Sequence, residues 1–425
     1  MKKCIIIGGG ISGLATGVYL SEKGADVLLL EASPKLGGRA YSLEYNGNFV
    51  DNGQHILMGC YNNTLSFLDK IGTLDKLDFQ GSLSIKFIDR SKKKYELKSD
   101  PHFPYPINLL IGLFNYKALS FNERIRLLKF FFSLYFLDAE KLKNISVEEW
   151  LRKNNQSQNI IKCFWQIIIE GTLNTSIKDA SAKTLAIILK QMFFNGGRAS
   201  NIIVPKVSLS HLYVDASSEF ITNNGGKVHL SERVIQVKTE GEKVIKIITD
   251  KNEYADFDYA VLAIPPHMLL KLFSEQNSDL NKVEYSSITS LHLWLNENPF
   301  TENFYGLIDS PVQWIFNKGN YISTVTSNSD ALLNLSHDQI ITYFINEIEE
   351  YFPFKISDKI VNSKLIREKR ATFIPGVEIE KVRAGFESKY TNLIYSGDFS
   401  RTNLPSTIEG AVKSGITSAN LIMKE

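Results

Sequence analysis

Lys3-Cys4-Ile5-Ile6-Ile7-Gly8-Gly9-Gly10-Ile11-Ser12-Gly13 passes from an apolar run through three glycines into a helical pattern. The apolar, β-branched residues predict a strand over 3–7, and the spacing after the glycines predicts a helix over 11–23. A second apolar strand is predicted over 26–31, so the chain opens as a βαβ unit. Gly8, Gly10 and Gly13 stand at the GxGxxG positions between strand and helix. There the first glycine permits a tight turn, the second lets backbone approach a pyrophosphate, and the third lets helix and strand pack closely. Ile11 and Ser12 open the helix, whose free N–H groups and positive dipole end suit phosphate. Glu31 closes the second strand eighteen residues after Gly13, where a carboxylate accepts hydrogen bonds from ribose hydroxyls. An acidic residue there disfavours a 2′-phosphate, which leaves FAD or NAD rather than NADP.

Glycine-rich turns also join strands to helices for structural reasons alone, so the segments further out decide the matter. Leu36-Gly37-Gly38-Arg39 follows Glu31 within a few residues. Near the other end, a strand predicted over 392–395 leads into Ser396-Gly397-Asp398. Thr407-Ile408-Glu409-Gly410-Ala411-Val412-Lys413-Ser414-Gly415 then begins a helix predicted over 407–423. These segments resemble the GGR and closing motifs of the FAD-binding flavin amine oxidase and carotenoid desaturase superfamily. The resemblance implies FAD as the cofactor, with Gly38 and Arg39 at its pyrophosphate and Gly397 and Asp398 at its ribityl chain. It implies further cofactor contacts at Ala32, Gln54 and Val234, and a helix start near Ile408 aimed at the pyrimidine edge of the flavin. A positive helix end there favours the anionic reduced flavin. Glu409 has an equally good second reading, as a first-turn carboxylate favoured by the same dipole. No second GxGxxG occurs, so the chain offers no nicotinamide site of its own and requires an external electron donor.

Phe49-Val50-Asp51-Asn52-Gly53-Gln54-His55-Ile56-Leu57-Met58-Gly59-Cys60-Tyr61 narrows the resemblance. With Val204-Pro205-Lys206 through Asp215, Arg367 through Phe373, and Leu404 through Gly410, it is similar to the hydroxysqualene dehydroxylase family. That resemblance implies a C30 isoprenoid substrate: the hydroxyl of hydroxysqualene is removed reductively to give squalene, a hopanoid or triterpenoid precursor. The hydroxyl is allylic, so its departure leaves a delocalised cation able to take hydride from N5 of reduced flavin. His55 is the candidate catalytic residue, because imidazole donates a proton near neutrality and the residue follows a glycine turn. The alternative is that His55, or its neighbour Gln54, only hydrogen-bonds backbone or flavin. Two other activities remain open, a carotenoid desaturase or isomerase and a flavin amine oxidase. Against the second, Thr407 stands where amine oxidases often place an aromatic wall, and no cysteine after Cys163 is available for a C-terminal cysteinyl-flavin bond.

The 425 residues exceed what one core usually fills and predict roughly two domains. Nucleotide-type elements at both ends imply an α/β fold with a discontinuous Rossmann-like FAD-binding domain, residues 1–90, 200–270 and 360–425. An inserted α+β substrate-binding domain takes residues 91–199 and 271–359, giving the flavin amine oxidase and phytoene desaturase type of architecture. Helices are predicted over 61–71, 122–136, 157–171, 182–194 and 337–351, with a capping box at Ser146 and Glu149. Leu291, Leu293 and Leu295 alternate with His292, Trp294 and Asn296 in a strand-rich stretch that begins near Ser287.

Charged residues make up 22% of the chain, and 48 Lys and Arg against 46 Asp and Glu give no reason to invoke nucleic acid. Cys4, Cys60 and Cys163 show neither disulfide nor metal-ligand spacing, so a reducing compartment and no metal site are expected. The first strand starts after two residues, from which a cytoplasmic protein without a signal peptide is expected. No apolar stretch reaches the ~18 residues of a membrane span. The stretch from Phe103 to Phe136 is nonetheless rich in aromatics, including Phe130-Phe131-Phe132 beside lysine and arginine. It reads either as helical core or as a peripheral contact with the inner face of the cytoplasmic membrane, through which a hydrocarbon would enter.

Overall fold

Ile5, Ile6 and Ile7 carry no polar alternate because the strand they form is central in a parallel sheet and buried on both faces. The computed structural model describes residues 1–273 and 278–424. Its five-stranded sheet runs in the order Lys227–His229, Asp26–Leu30, Lys3–Ile7, Tyr259–Leu262, Leu393–Tyr395, with every pair parallel. The chain leaves the first strand to one side and later returns to the other. A crevice therefore opens at the carboxyl end of Lys3–Ile7, where doubly wound sheets hold their ligands.

The helix Ile11–Glu22 is buried almost all round, because the last helix, Ile408–Lys424, packs directly against it. The approach is close: a Cβ on Gly415 would stand 2.6 Å from the Ser12 carbonyl oxygen. Ser12 Oγ lies 2.6 Å from Ser396 Oγ and 3.0 Å from Ser414 Oγ. The two ends of the chain thus complete one nucleotide-binding unit.

A seven-stranded sheet forms the second layer, in the order Ile360–Phe373, Tyr285–Leu295, Tyr321–Ser327, Trp314–Asn317, Phe304–Leu307, Ser84–Ile88, Lys94–Lys98. Only Phe304–Leu307 and Ser84–Ile88 pair in parallel. Leu291, Leu293 and Leu295 face the helix His337–Tyr351, where Ile340, Phe344 and Ile348 complete the core. The alternating His292 and Trp294 are also buried, on the opposite face. The sequence division put 84–88 and 360–373 with the nucleotide-binding segments, whereas the pairing puts both strands in this second sheet.

Between residues 107 and 194 the chain is helical, and its aromatics build the largest apolar core. The helix predicted over 157–171 is interrupted by a π turn at Ile161–Trp165 before it continues as Gln166–Leu173. The capping box at Ser146 closes one way only: Ser146 Oγ accepts the Glu149 N–H at 3.2 Å, while the Glu149 carboxylate pairs with Lys153. Phe130-Phe131-Phe132 divides, with Phe130 and Phe131 buried against Trp165 and Phe132 70% exposed. No helix among the described residues is long and apolar enough to cross a membrane.

Candidate active site

The glycine turn that ends the first strand is built by backbone. Gly8 has φ +111°, which only glycine adopts freely, and its N–H donates to Leu30 O at 2.8 Å. A Cβ on Gly13 would collide with the Gly8 carbonyl and stand 3.2 Å from Ala263 Cβ, so helix and sheet meet through hydrogen alone. Glu31 accepts the Gly9 N–H on one oxygen and the Ser33 N–H on the other, each at 2.7 Å. Those bonds hold the carboxylate at the strand end while leaving each oxygen further acceptor capacity. Gly37 donates to Gly9 O at 2.9 Å, which seats the second glycine turn on the first. No side chain caps the helix at Gly10, so its first N–H groups face the crevice without intrahelical partners.

Arg39 and Asp398, assigned from sequence to different parts of a cofactor, stand beside one another here. Arg39 Nη2 lies 2.6 Å from Asp398 Oδ1, and Arg39 Nη1 donates to Ala371 O at 3.3 Å. Burial would raise the Asp398 carboxyl, but the Arg39 guanidinium beside it prevails and holds it below the usual carboxylate range. Ser406 Oγ donates to the other Asp398 oxygen. The loop that carries both residues is organised by Arg383, a group that sequence reading missed. Buried Arg383 donates to the carbonyls of Asp398, Ser400 and Leu404 and to Thr402 Oγ1.

Glu409 adds to both readings given it. It opens the last helix, but its carboxylate accepts the N–H groups of Asn63 and Thr64 and their side chains, at 2.7–3.1 Å. It thus caps the helix Asn62–Lys70, whose own N-cap Tyr61 has no capping side chain.

These elements enclose one end of a cavity of about 840 Å³. Gly8, Gly10, Ile11, Ser12, Glu31, Ala32, Gly38, Arg39, Gln54, His55, Val234, Gly397, Asp398 and Ile408 all line it, whereas Gly13 lies behind the wall. The cavity continues without a break into an apolar end lined by Leu83, Phe87, Phe164, Ile167, Met192 and Trp314. His55 is on the wall of this cavity. Its Nδ1 is 2.7 Å from Gly53 O, so in the neutral ring Nδ1 carries the proton and Nε2 is the acceptor. Burial lowers the basicity of His55, and nearby Asp51 opposes that shift. Beside the apolar end, burial pushes the Glu170 carboxyl up to about 7. Gln313 Nε2 donates to Glu170 Oε2 at 2.7 Å. An isolated glutamate in a helical run carries no sequence signal of such a setting.

A parallel sheet with an uncapped helix start, two stacked glycine turns and a long cavity defines a dinucleotide-dependent oxidoreductase. The residues present suit FAD: the backbone cradle leaves room for a pyrophosphate at Gly10, and carboxylates at Glu31 and Asp398 offer acceptors for hydroxyls. Residues 11–423 match the profile of the flavin containing amine oxidoreductase family, and the chain belongs to that family. It is an FAD-dependent oxidoreductase. The hydroxysqualene dehydroxylase of Zymomonas mobilis is 24% identical to it, over 98% of each chain. That of Rhodopseudomonas palustris is 26% identical, over 100% of this chain and 99% of its own. The 15-cis-phytoene desaturase of Glycine max is 21% identical, over 99% of this chain and 79% of its own. Among solved structures, an oxidoreductase from Methanosarcina mazei superposes with a TM-score of 0.78 at 18% identity, over 100% of both chains. A putrescine oxidase gives 0.75 at 15% identity, over 100% of this chain and 99% of its own.

Proposed function

We propose that this enzyme removes the hydroxyl of hydroxysqualene and releases squalene. The observation that carries the reading is one continuous cavity whose lining combines the dinucleotide cradle with apolar side chains. The hydroxysqualene dehydroxylases similar to this chain along their whole length support the same substrate. FAD, when bound and reduced, supplies the hydride that ends on the substrate carbon. Gly8, Gly10, Ile11, Ser12 and Gly38 bind it through backbone, Glu31, Arg39 and Asp398 through charge and hydrogen bonds, and Ala32, Gln54, Val234, Gly397 and Ile408 complete its contacts. The aromatic and aliphatic walls hold the hydrocarbon and exclude water, so that the allylic cation meets hydride rather than solvent.

His55, once protonated at Nε2, gives that proton to the departing hydroxyl, which leaves as water, and returns to the neutral ring. The balance per turnover is one hydroxysqualene, one hydride and one proton to one squalene and one water. The reduced, purified enzyme is expected to convert hydroxysqualene to squalene anaerobically, read by mass, and to leave phytoene and polyamines unchanged. Absence of squalene overturns the reading. His55→Ala is expected to slow the conversion by about 10²–10⁴-fold with flavin content unchanged. An undiminished rate removes His55 from the chemistry.

The substrate reaches the cavity from a lipid surface. Ile107, Leu110 and Phe114 are exposed on the helix Ile107–Asn115 with Phe103 exposed in the turn before it, and Phe132, Tyr135 and Phe136 form a second exposed group on the neighbouring helix. Arg124 lies over the Phe114 and Phe121 rings, which gives this face the mixed basic and aromatic character of an interfacial contact. The double variant Phe132→Asp, Phe136→Asp is expected to lower co-sedimentation with anionic vesicles by about tenfold or more, while turnover of detergent-dispersed substrate persists. Equal co-sedimentation rejects the contact.

A further inference from the structure

A chain of isoprene units packs against apolar walls as well in one register as in the next. Burial of apolar surface has no direction, so a polar contact must fix which carbon meets the flavin. Tyr61 lines the cavity and packs against both cores that build its wall. One core supplies Phe164, Ile167 and Met192, and the other supplies Ile11 and Ala411. The Tyr61 N–H donates to Met58 O and its carbonyl accepts the Leu65 N–H, each at 2.9 Å, so its backbone is held. Glu409 caps the helix that starts at the next residue, which ties Tyr61 to the beginning of the last helix. Among the described residues none bonds the Tyr61 hydroxyl. Gly59 N–H donates to Asn201 O and Cys60 N–H to Ala199 O, each at 2.9 Å, so residues 199–201 run beside this stretch. Ser200 lines the same cavity, is 1% exposed, and its Oγ makes no hydrogen bond. Met58 and Ile202, which pair across the same two segments, also line the cavity and are apolar. Hydroxyls without partners in such a wall cost free energy until a ligand or water satisfies them.

We propose that Tyr61 and Ser200 form the subsite for the substrate's hydroxyl and thereby set the register of the hydrocarbon in the cavity. The assignment rests on the dehydroxylation reading for the identity of the alcohol. The Tyr61 O–H donates to the alcohol oxygen, and the alcohol O–H donates to Ser200 Oγ. The second lone pair of the alcohol oxygen stays open to the proton on Nε2 of protonated His55. When that proton arrives, the C–O electron pair leaves with the oxygen as water. Tyr61 and Ser200 keep their own protons throughout. Burial raises the Tyr61 phenol above its ordinary value, with Cys60 and Glu409 adding to the shift, so it stays a neutral donor at working pH. The phenol therefore holds the alcohol and leaves proton transfer to the imidazole.

Oxidised holoenzyme has no hydride to give, so it binds hydroxysqualene without turning it over. Titration with detergent-dispersed hydroxysqualene and with squalene, read by the change in flavin absorbance, compares ligands that differ by one hydroxyl. The natural protein is expected to bind hydroxysqualene about tenfold or more tightly than squalene. Tyr61→Phe and Ser200→Ala each remove one oxygen and keep the rest of the wall. Each is expected to lose about three- to tenfold of the affinity for hydroxysqualene, with squalene affinity and flavin content unchanged. An unchanged hydroxysqualene affinity in either variant overturns the pair. An equal loss of both ligands also overturns it, because that result reports packing. A natural protein that binds the two ligands alike, or binds neither, has no such subsite. If the variants behave as expected but the reduced natural enzyme makes no squalene, the dehydroxylation reading falls and the alcohol subsite stands.

Discussion

Gly10→Ala and Gly13→Ala, one methyl each and three residues apart, are expected to fail in opposite ways. Gly10 has ordinary extended backbone angles, φ −72° and ψ 173°, which alanine tolerates. The nearest atom to its added methyl is Gly38 Cα at 3.8 Å, an ordinary contact, and the residue lines the cavity. The fold therefore accepts the methyl, and the methyl occupies the approach to the pyrophosphate. Gly10→Ala apoprotein should unfold within about 0.5 kcal/mol of the natural apoprotein. It should nonetheless retain flavin at a tenth of the normal content or less.

Gly13 lies behind the wall, and its methyl meets the Gly8 carbonyl, a backbone atom with no rotamer by which to yield. Gly8 is fixed in turn by φ +111° and by its bond to Leu30 O. The helix must move off the sheet, at a cost of roughly 1–3 kcal/mol that appears in the apoprotein before any flavin is offered. Thermal unfolding of both apoproteins, read beside flavin absorbance after purification, separates the two roles. Normal flavin content in Gly10→Ala withdraws Gly10 from the pyrophosphate contact, and normal apoprotein stability in Gly13→Ala withdraws the packing argument.

That pair of glycines shows why this end of the molecule could be read without coordinates. A strand, a turn and a helix are local, and the requirement for absent side chains leaves glycines at fixed offsets. The GGR turn was equally legible, because Gly37 bonds to Gly9 only a few turns of chain away. The groups that sequence reading missed have partners set by tertiary packing. Glu409 caps a helix through Asn63 and Thr64, some 345 residues earlier, and nothing near it in sequence predicts that use. His292 alternates with leucines as any half-buried strand residue does, yet it is as buried as they are, through packing that no neighbour in sequence announces. Phe130 and Phe132 differ in fate through helical phase against a core that composition alone does not locate.

Arg383→Met is expected to do more damage than any substitution on the cavity wall. Methionine keeps an unbranched apolar stem but supplies no donor and removes the guanidinium that stands over the Phe373 ring. The carbonyls of Asp398, Ser400 and Leu404 and the hydroxyl of Thr402 then lose their shared partner inside the protein. Each buried acceptor left unsatisfied costs roughly 1–3 kcal/mol, so the sum reaches about 4 kcal/mol or more even if some turn to water. The loop concerned is the one that presents Asp398 to Arg39, and flavin retention should fall with it. Arg383→Lys restores a charge but only a single nitrogen, which cannot reach acceptors spread from 398 to 404, and partial recovery at most is expected. Yield, thermal midpoint and flavin content of the two variants test this together. If Arg383→Met retains flavin and unfolds like the natural protein, the loop is held by its own turns, and Asp398 owes its position to Arg39 and Ser406 alone.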